Sequence, residues 1–410
     1  VPIIGGARLS GKINKDWRIG LLNMQTARVN KGNNNYLPAT NYSVAALQRQ
    51  LWTRSYVGVI GVNKENFFRN IPENAQKGVN QFNRMAGIEF NYYSPNNRLE
   101  TETYYHQSFS PTGGKDASTI NQFVGFHHPN VDINLGVARI GKDFNSEVGF
   151  TPRNGVYTVF RPITLIRNPK NKKVSQKINA FGIGMEGSDV FDLKGKRLDT
   201  EMPIFFFFNT PSDGEFSTGY YMAYTYLYEP FDPTNAFENP DPDKSRNVVP
   251  VPKGGYKMRS IFVNFTTARK YNFYTEFLLY SGTYFLGNQT GIESNFNYRI
   301  QPIGRISMDL FYNNIKLPAP YNSAKYWLIG PKAEISFNKS VFLNAYFQYN
   351  TQTNNTNINT RLQWRFKPVS DIFLVYTDNY FAEEISRYRV QPWTPKNKAL
   401  ILKMTYWLNL

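Results

Sequence analysis

The chain has 410 residues, no cysteine and only three histidines, His106, His127 and His128. Without thiols there is no disulfide framework and no thiolate metal site. Nor is there a run of 18 apolar residues, so no segment can cross a bilayer as a helix. The longest apolar stretch, from Met202 to Phe208, has the length of a strand. Acidic residues are the minority, 30 against 47 Lys and Arg, for a formal net charge of +17. That balance raises nucleic acid as a partner. However, the basic residues are scattered and no helix-turn-helix, zinc-finger or RNP-like run occurs, so no nucleic acid is expected. A diffuse positive field suits lipopolysaccharide or an acidic glycan equally well. The sequence opens on Val1 without a Met or a basic-then-apolar leader, as expected of a processed or trimmed chain.

Aromatic residues are abundant: 28 Tyr and 32 Phe, 16% with Trp, although mean hydropathy is polar at -0.48. Tyrosine at that density fits the girdles of a barrel in lipid, where the rings settle at the membrane boundary. The recurring unit is an alternation of apolar and polar residues ended by a turn cluster, the pattern of a strand between an apolar medium and water. From Ile358 to Phe366, the residues Ile358, Thr360, Leu362, Trp364 and Phe366 share one face, and Asn359, Arg361, Gln363 and Arg365 the other. Upstream, Val341, Leu343, Ala345, Phe347 and Tyr349 oppose Phe342, Asn344, Tyr346, Gln348 and Asn350. The same parity puts Lys332, Glu334, Asp309, Glu276 and Lys403 on wet faces.

A soluble sandwich would also alternate. Turn lengths separate the two cases, because short and long connections take turns along this chain. Residues 367–370, 338–340, 302–304 and 269–271 form tight links, and 381–396, 318–323 and 230–255 form longer ones. Short turns on one rim and long loops on the other are the form of an outer-membrane barrel. The chain ends in a strand with Leu400, Leu402, Met404, Tyr406, Leu408 and Leu410 on one face. Of these, Leu402, Met404, Tyr406, Leu408 and Leu410 resemble the C-terminal signal read by barrel-assembly machinery, with Leu410 where Phe is more usual.

We count 21 candidate strands, from Gly6–Lys12 to Lys396–Leu410. Single-chain bacterial barrels normally have an even number. Either a weak segment (Gly6–Lys12 or Phe160–Arg167) is no strand, an upstream strand is missing, or closure is unusual. The fold class expected is all-β, a transmembrane antiparallel up-and-down β-barrel of about 20–22 strands with short periplasmic turns and long extracellular loops. It forms a single domain over residues 1–410. A lumen of that width is too wide for wall side chains to fill, so inward-folded loops, an N-terminal domain outside these residues, or a partner chain is expected in it. The stretch from Gly141 to Asn154, with Asp143, Phe144, Glu147, Phe150 and Arg153, is a candidate for folding inward; an ordinary surface loop is the alternative.

Three stretches, GGARLSGKINKDWRIGLLNMQT at the start, NLGVARIGKDFNSEVGFTPRNG in the middle and KALILKMTYWLNL at the end, resemble a Bacteroidota outer-membrane barrel family of unassigned function. In that family the barrel follows an N-terminal module similar to family-nine carbohydrate-binding domains and then a further strand-like stretch. Both would stand ahead of the equivalent of Gly5-Gly6-Ala7, and neither lies within these 410 residues. The resemblance thus supports the missing-strand explanation. It implies an outer-membrane location and glycan biology, and supplies no catalytic or sugar-binding residues here.

No enzyme site is expected. His127 and His128 precede Pro129 at a short turn and as strand neighbours point to opposite faces, which is poor geometry for a metal. Glu100 and Glu102 share a strand face, as a glycosidase pair could, but two acids on a water-lining strand need no catalysis to explain them. Gly182-Ile183-Gly184 lacks the strand-to-helix context of a dinucleotide fingerprint. No metal or cofactor is expected. The lumen-lining candidates are Glu276, Asp309, Lys332, Glu334, Asn344, Gln348, Asn359, Arg361, Gln363, Arg365 and Lys403; their charges either select solutes or pair with one another. The expected partners are outer-membrane lipid and lipopolysaccharide, barrel-assembly machinery, and a plug or partner protein in the lumen or on the rim. Two main readings stand, a plugged or gated conduit for glycans or related solutes, and a non-conducting structural or assembly subunit. A secreted soluble glycan-binding β protein is a third.

Overall fold

The computed structural model describes residues 1–30, 36–69, 71–236, 241–245 and 248–407. The chain enters as β1 (Ile3–Lys12), β2 (Trp17–Thr26), the short hairpin β3 (Val29–Asn30) and β4 (Tyr36–Leu37), β5 (Ala39–Leu51), β6 (Ser55–Phe67), β7 (Phe82–Tyr93) and β8 (Leu99–Phe109). Next come β9 (Ser118–His128), β10 (Val131–Ile140), β11 (Val156–Phe160), β12 (Ile163–Arg167), β13 (Ala180–Met185), β14 (Ser188–Asp192) and β15 (Arg197–Asn209). It continues through β16 (Glu215–Leu227), β17 (Gly254–Thr266), β18 (Phe273–Tyr284), β19 (Gly287–Ile300), β20 (Gly304–Lys316) and β21 (Ala324–Ser336). The last four are β22 (Val341–Asn350), β23 (Asn355–Lys367), β24 (Ser370–Tyr380) and β25 (Pro395–Thr405). All but β3 and β4 belong to one 23-stranded sheet of antiparallel neighbours. By packing, the chain divides into two units, Val1–Leu165 with Met185–Thr200, and Ile166–Gly184 with Glu201–Leu410.

Both segments doubted from sequence are strands. The first, β1, pairs with β2 from Ile3↔Thr26 to Lys12↔Arg18. The second is a pass interrupted at Arg161-Pro162, where proline has no N–H for a ladder. There β10 takes β11 along its upper part and β12 along its lower part. The proline carbonyl still accepts from the Asn134 amide at 2.9 Å, and the Arg161 amide donates to the Gly187 carbonyl at 2.7 Å. With β11/β12 and β13/β14 each read as one broken pass, the sheet has twenty-one passes, the number read from sequence. The alternation of turn lengths is looser than expected. Residues 285–286 and 351–354 are tight links where long loops belong, and 168–179, with the short helix Lys172–Ser175, is long where a turn belongs.

Burial is inverted relative to a soluble protein. Asn66, Asn83 and Ser108 are buried in the first unit, as are Asn297 and Asp371 in the second, whereas Ile261 is 65% exposed and Leu402 73%. In each unit most of the large exposed strand side chains fall on one side; Phe160 in the first unit and Phe311 and Ile401 in the second lie on the other. The majority side holds Val59, Ile88, Tyr105 and Val137 in the first, and Ile306, Leu362, Trp364 and Leu374 in the second. A strand face this apolar and this uncovered is stable where its surroundings are hydrocarbon rather than water.

Candidate functional site

The polar faces hold every lumen-lining residue expected from sequence, and the ladder fixes which of them meet. Across β20 to β23 the register aligns Arg305, Glu334, Asn344 and Arg361 in one row. Glu334 is gripped by Arg305 at 2.5 Å and by Lys332, two residues away on the same face, at 2.8 Å. Arg305 also donates to the Tyr274 hydroxyl at 3.2 Å. Asp371 accepts from Gln363 at 2.8 Å and Arg365 at 3.2 Å. Glu276 pairs with Arg269 at 2.5 Å, and Asp309 accepts a hydrogen bond from Asn295. Asn359 lies between Tyr346 and Thr377, and Gln348 opposite Asn357. Two cations stand apart. Among the described residues neither Arg361, whose guanidinium lies 6.0 Å from the Phe373 ring, nor Lys403, opposite Phe373, has an acidic partner. Arg305 and Asp371, which organise this wall, did not stand out in the sequence, because their partners lie on other strands.

In the first unit, residues 141–154 leave β10 and fold back over the polar faces of β9, β8, β7 and β6. The Asp143 carboxylate accepts from the Asp116 amide at 3.1 Å, and the Asp143 amide donates to the Asp116 carbonyl at 3.0 Å. The Asn145 amide donates to Ser108 Oγ at 3.0 Å, while Asn83 Nδ2 donates to the Asn145 carbonyl at 2.9 Å. Asn83 Oδ1 in turn accepts from the Glu147 amide at 3.0 Å. The Glu147 carboxylate meets Lys64 Nζ at 2.5 Å and Asn80 at 3.3 Å. Phe144 is buried, Arg153 pairs with Asp199 at 2.5 Å, and Phe150 is 89% exposed at the loop tip. Lys64, Asn83 and Ser108 all lie within three residues of the long-loop ends of their strands, so the segment narrows that end. Two glycines make room: a Cβ at Gly114 would collide with the Asp143 carboxylate, and one at Gly141 with the Asp116 carbonyl.

The loop's acids carry a pH dependence. Burial pushes Glu147 up, but hydrogen bonds from Lys64 and Asn80 outweigh it and leave the group below its usual value. A hydrogen bond from Arg139 likewise holds Asp116 down. Groups depressed in this way stabilise the seated loop fully above the ordinary carboxylate range, about 4. That contribution is lost as pH falls through the depressed values. Amide exchange of Asn145 and Glu147 is therefore expected to lose protection below about pH 4, and Glu147→Gln to flatten that change; full protection at low pH would contradict it.

In the second unit, the link between β16 and β17 also turns toward a polar face. Phe231 and Val251 form an antiparallel bridge, and Val251 and Thr234 are buried. Thr234 and Asn235, with Tyr326 and Gln352, line a cavity of about 400 Å³. The histidines serve pairing. His127 sits between Asp132 at 2.7 Å and Glu100 at 3.3 Å, and His106 lies 3.5 Å from Glu89 and stacks on Tyr104. His128, one residue on, accepts from the Asn130 amide at 3.3 Å. Glu100 is thus engaged by a histidine rather than poised with Glu102. Of the C-terminal residues, Leu402 pairs opposite Leu374, Met404 opposite Ile372, and Tyr406 stacks on Phe366 at 6.4 Å. Leu408 and Leu410 lie outside the described residues.

No protein-family model and no curated protein matches this sequence. Among solved structures, a copper transporter, OprC, is similar with a TM-score of 0.52 at 10% identity, over 98% of this chain and 78% of that one. At that identity the likeness shows the fold alone. The chain has the fold of a transmembrane β-barrel of the outer-membrane type, with apolar strand faces toward lipid and polar faces toward the lumen.

Proposed function

We propose that the protein is an outer-membrane conduit for polar solutes, gated by the loop of residues 141–154. The observation that carries this reading is the seating of that loop, by side chains of three strands and the main chain just ahead of β9, on polar faces at the long-loop end. A wide barrel without such an element would leak, and inward-folded loops are how wide lumens are narrowed. The solutes we favour are glycans or related compounds, an assignment supported by the family resemblance. Lipopolysaccharide around the wall, the assembly machinery acting on the last strand, and a partner at the lumen or rim complete it. Copper is not carried over from the structural neighbour: among the described residues no three His, Cys, Asp or Glu side chains gather as a metal-binding group.

Reversal potentials across a planar bilayer test the reading. Arg361 and Lys403 give the wall uncompensated positive charge, so anions should be preferred. Arg361→Glu with Lys403→Glu is expected to move the zero-current potential through zero toward cation preference. A correctly folded but silent barrel, with the loop present or removed, would instead indicate a sealed structural subunit.

A further inference from the structure

The lipid-facing side of the first unit carries a floor of small residues beside a polar row. At mid-strand, the register runs Leu9, Leu21, Ala45, Gly61, Ala86 and Gln107 across β1, β2, β5, β6, β7 and β8. The next outward row, toward the long loops, runs Ala7, Asn23, Ser43, Asn63, Arg84 and Phe109. The small residues leave a groove of about 820 Å³, floored by Ala7, Ala45, Gly61 and Ala86 and bordered by Leu9 and Phe109. A Cβ built on Gly61 meets nothing within 4 Å. The second unit has no such floor: the corresponding stretch of its outward face reads Val263, Leu279, Ile292, Tyr312 and Trp327.

Above the floor, the polar side chains satisfy one another only in part. Asn23 donates to Asn41 at 3.1 Å and to Ser43 at 2.9 Å, and Ser43 donates to Asn41 at 2.8 Å. Arg84 donates to Asn63 at 2.9 Å and to Glu65 at 3.2 Å. Two of the five guanidinium donors are thus used, and the side chain is 52% exposed. This row lies within four residues of the long-loop ends of its strands, where outward-facing polar side chains cost less than at mid-membrane. Small residues beside Ser and Asn are the signature of protein packed against protein within a membrane, where backbones approach closely and side chains bond across the interface.

We infer that this face pairs with a second copy of the same chain. The surface is complementary to itself. It holds amide donors and acceptors in one row, and the opposite charges of Arg84 and Glu65 lie side by side, so a two-fold rotation brings each charge to its opposite on the other copy. An isologous interface needs that property. An anionic lipid would need a surplus of positive charge, and here Glu65, one row further out, offsets Arg84. The inference is independent of whether the lumen conducts.

The chain lacks cysteine, so single-cysteine crosslinking is clean. Asn63→Cys would be treated in native outer membranes with a short bis-maleimide, and the mass of the detergent-purified wild type measured by sedimentation. A crosslinked dimer and a dimeric mass are expected. Gly61→Leu, alone and with Ala45→Leu, fills the groove without steric conflict at the backbone. It should weaken dimerisation at least tenfold while the heat-dependent gel shift of the folded barrel persists; Val263→Leu on the second unit should change nothing. Arg84→Glu should weaken the dimer and Arg84→Glu with Glu65→Arg restore it. A wild type that is monomeric in detergent and uncrosslinked in membranes overturns the inference. So does lipopolysaccharide, or a different protein, that copurifies with the monomer and is displaced by Gly61→Leu.

Discussion

Replacing residues 142–153 with a short Gly-Ser linker is expected to raise single-channel conductance on the order of tenfold, because wide barrels conduct little only while their lumen is filled. Among the contacts that seat the loop, the Ser108–Asn145 bond, the two bonds of Asn83, and the Lys64–Glu147 pair tie it to the faces of β6, β7 and β8. At about 1 kcal/mol net for each, these four alone hold the open population to no more than on the order of 0.1%, since about 1.4 kcal/mol is a factor of ten. Asn83→Ala removes two of them and should raise the frequency of brief full openings about thirtyfold by the same arithmetic. Single-channel records distinguish the two variants: the deletion gives steady current, and the point variant gives flickering. Unchanged conductance in the deletion would show that something other than this loop closes the lumen.

Leu374→Arg combined with Leu402→Arg is expected to abolish the folded barrel in the membrane. The two leucines face each other at mid-strand on the apolar side, 40% and 73% exposed. An arginine at the bilayer midplane costs about 2–4 kcal/mol on a lipid-facing strand. Two of them consume much of the roughly 5–15 kcal/mol that keeps an ordinary domain folded. They also strike the last strand, where the sequence resembles the assembly signal. The check is loss of the heat-dependent gel shift and of protease resistance. Arg361→Leu, one position from that row but on the lumen side, should leave both intact. A folded double variant would mean that this face does not meet hydrocarbon.

Much of the architecture was legible in the residues because a two-residue period survives wherever one face meets lipid. The stretch from Ile358 to Phe366 and the strand ending the chain state their faces outright. The break at Arg161-Pro162 was harder to read, since a proline inside a pass weakens the pattern without ending the sheet. The wall charges were readable as wet, but not their pairing: Arg305 and Glu334 are 29 residues apart, and the link exists only through the register of β20 with β21. The loop seat was less legible still, because Lys64 and Glu147 are separated by 83 residues and Asn83 and Asn145 by 62. The polar row of the first unit escaped notice because Asn23, Ser43 and Asn63 lie on the side that alternation assigns to lipid.

The most direct test of the central claim, strand faces divided between lipid and lumen, is a cysteine scan of positions 359–366 in the cysteine-free chain. Each variant would be reconstituted and labelled with a membrane-impermeant maleimide, and separately probed with an environment-sensitive dye quenched by lipid-borne spin labels. Asn359, Arg361, Gln363 and Arg365 positions are expected to label from water, and Thr360, Leu362, Trp364 and Phe366 positions to be quenched by lipid. Uniform labelling from water at all eight positions, with no lipid quenching, would contradict the account.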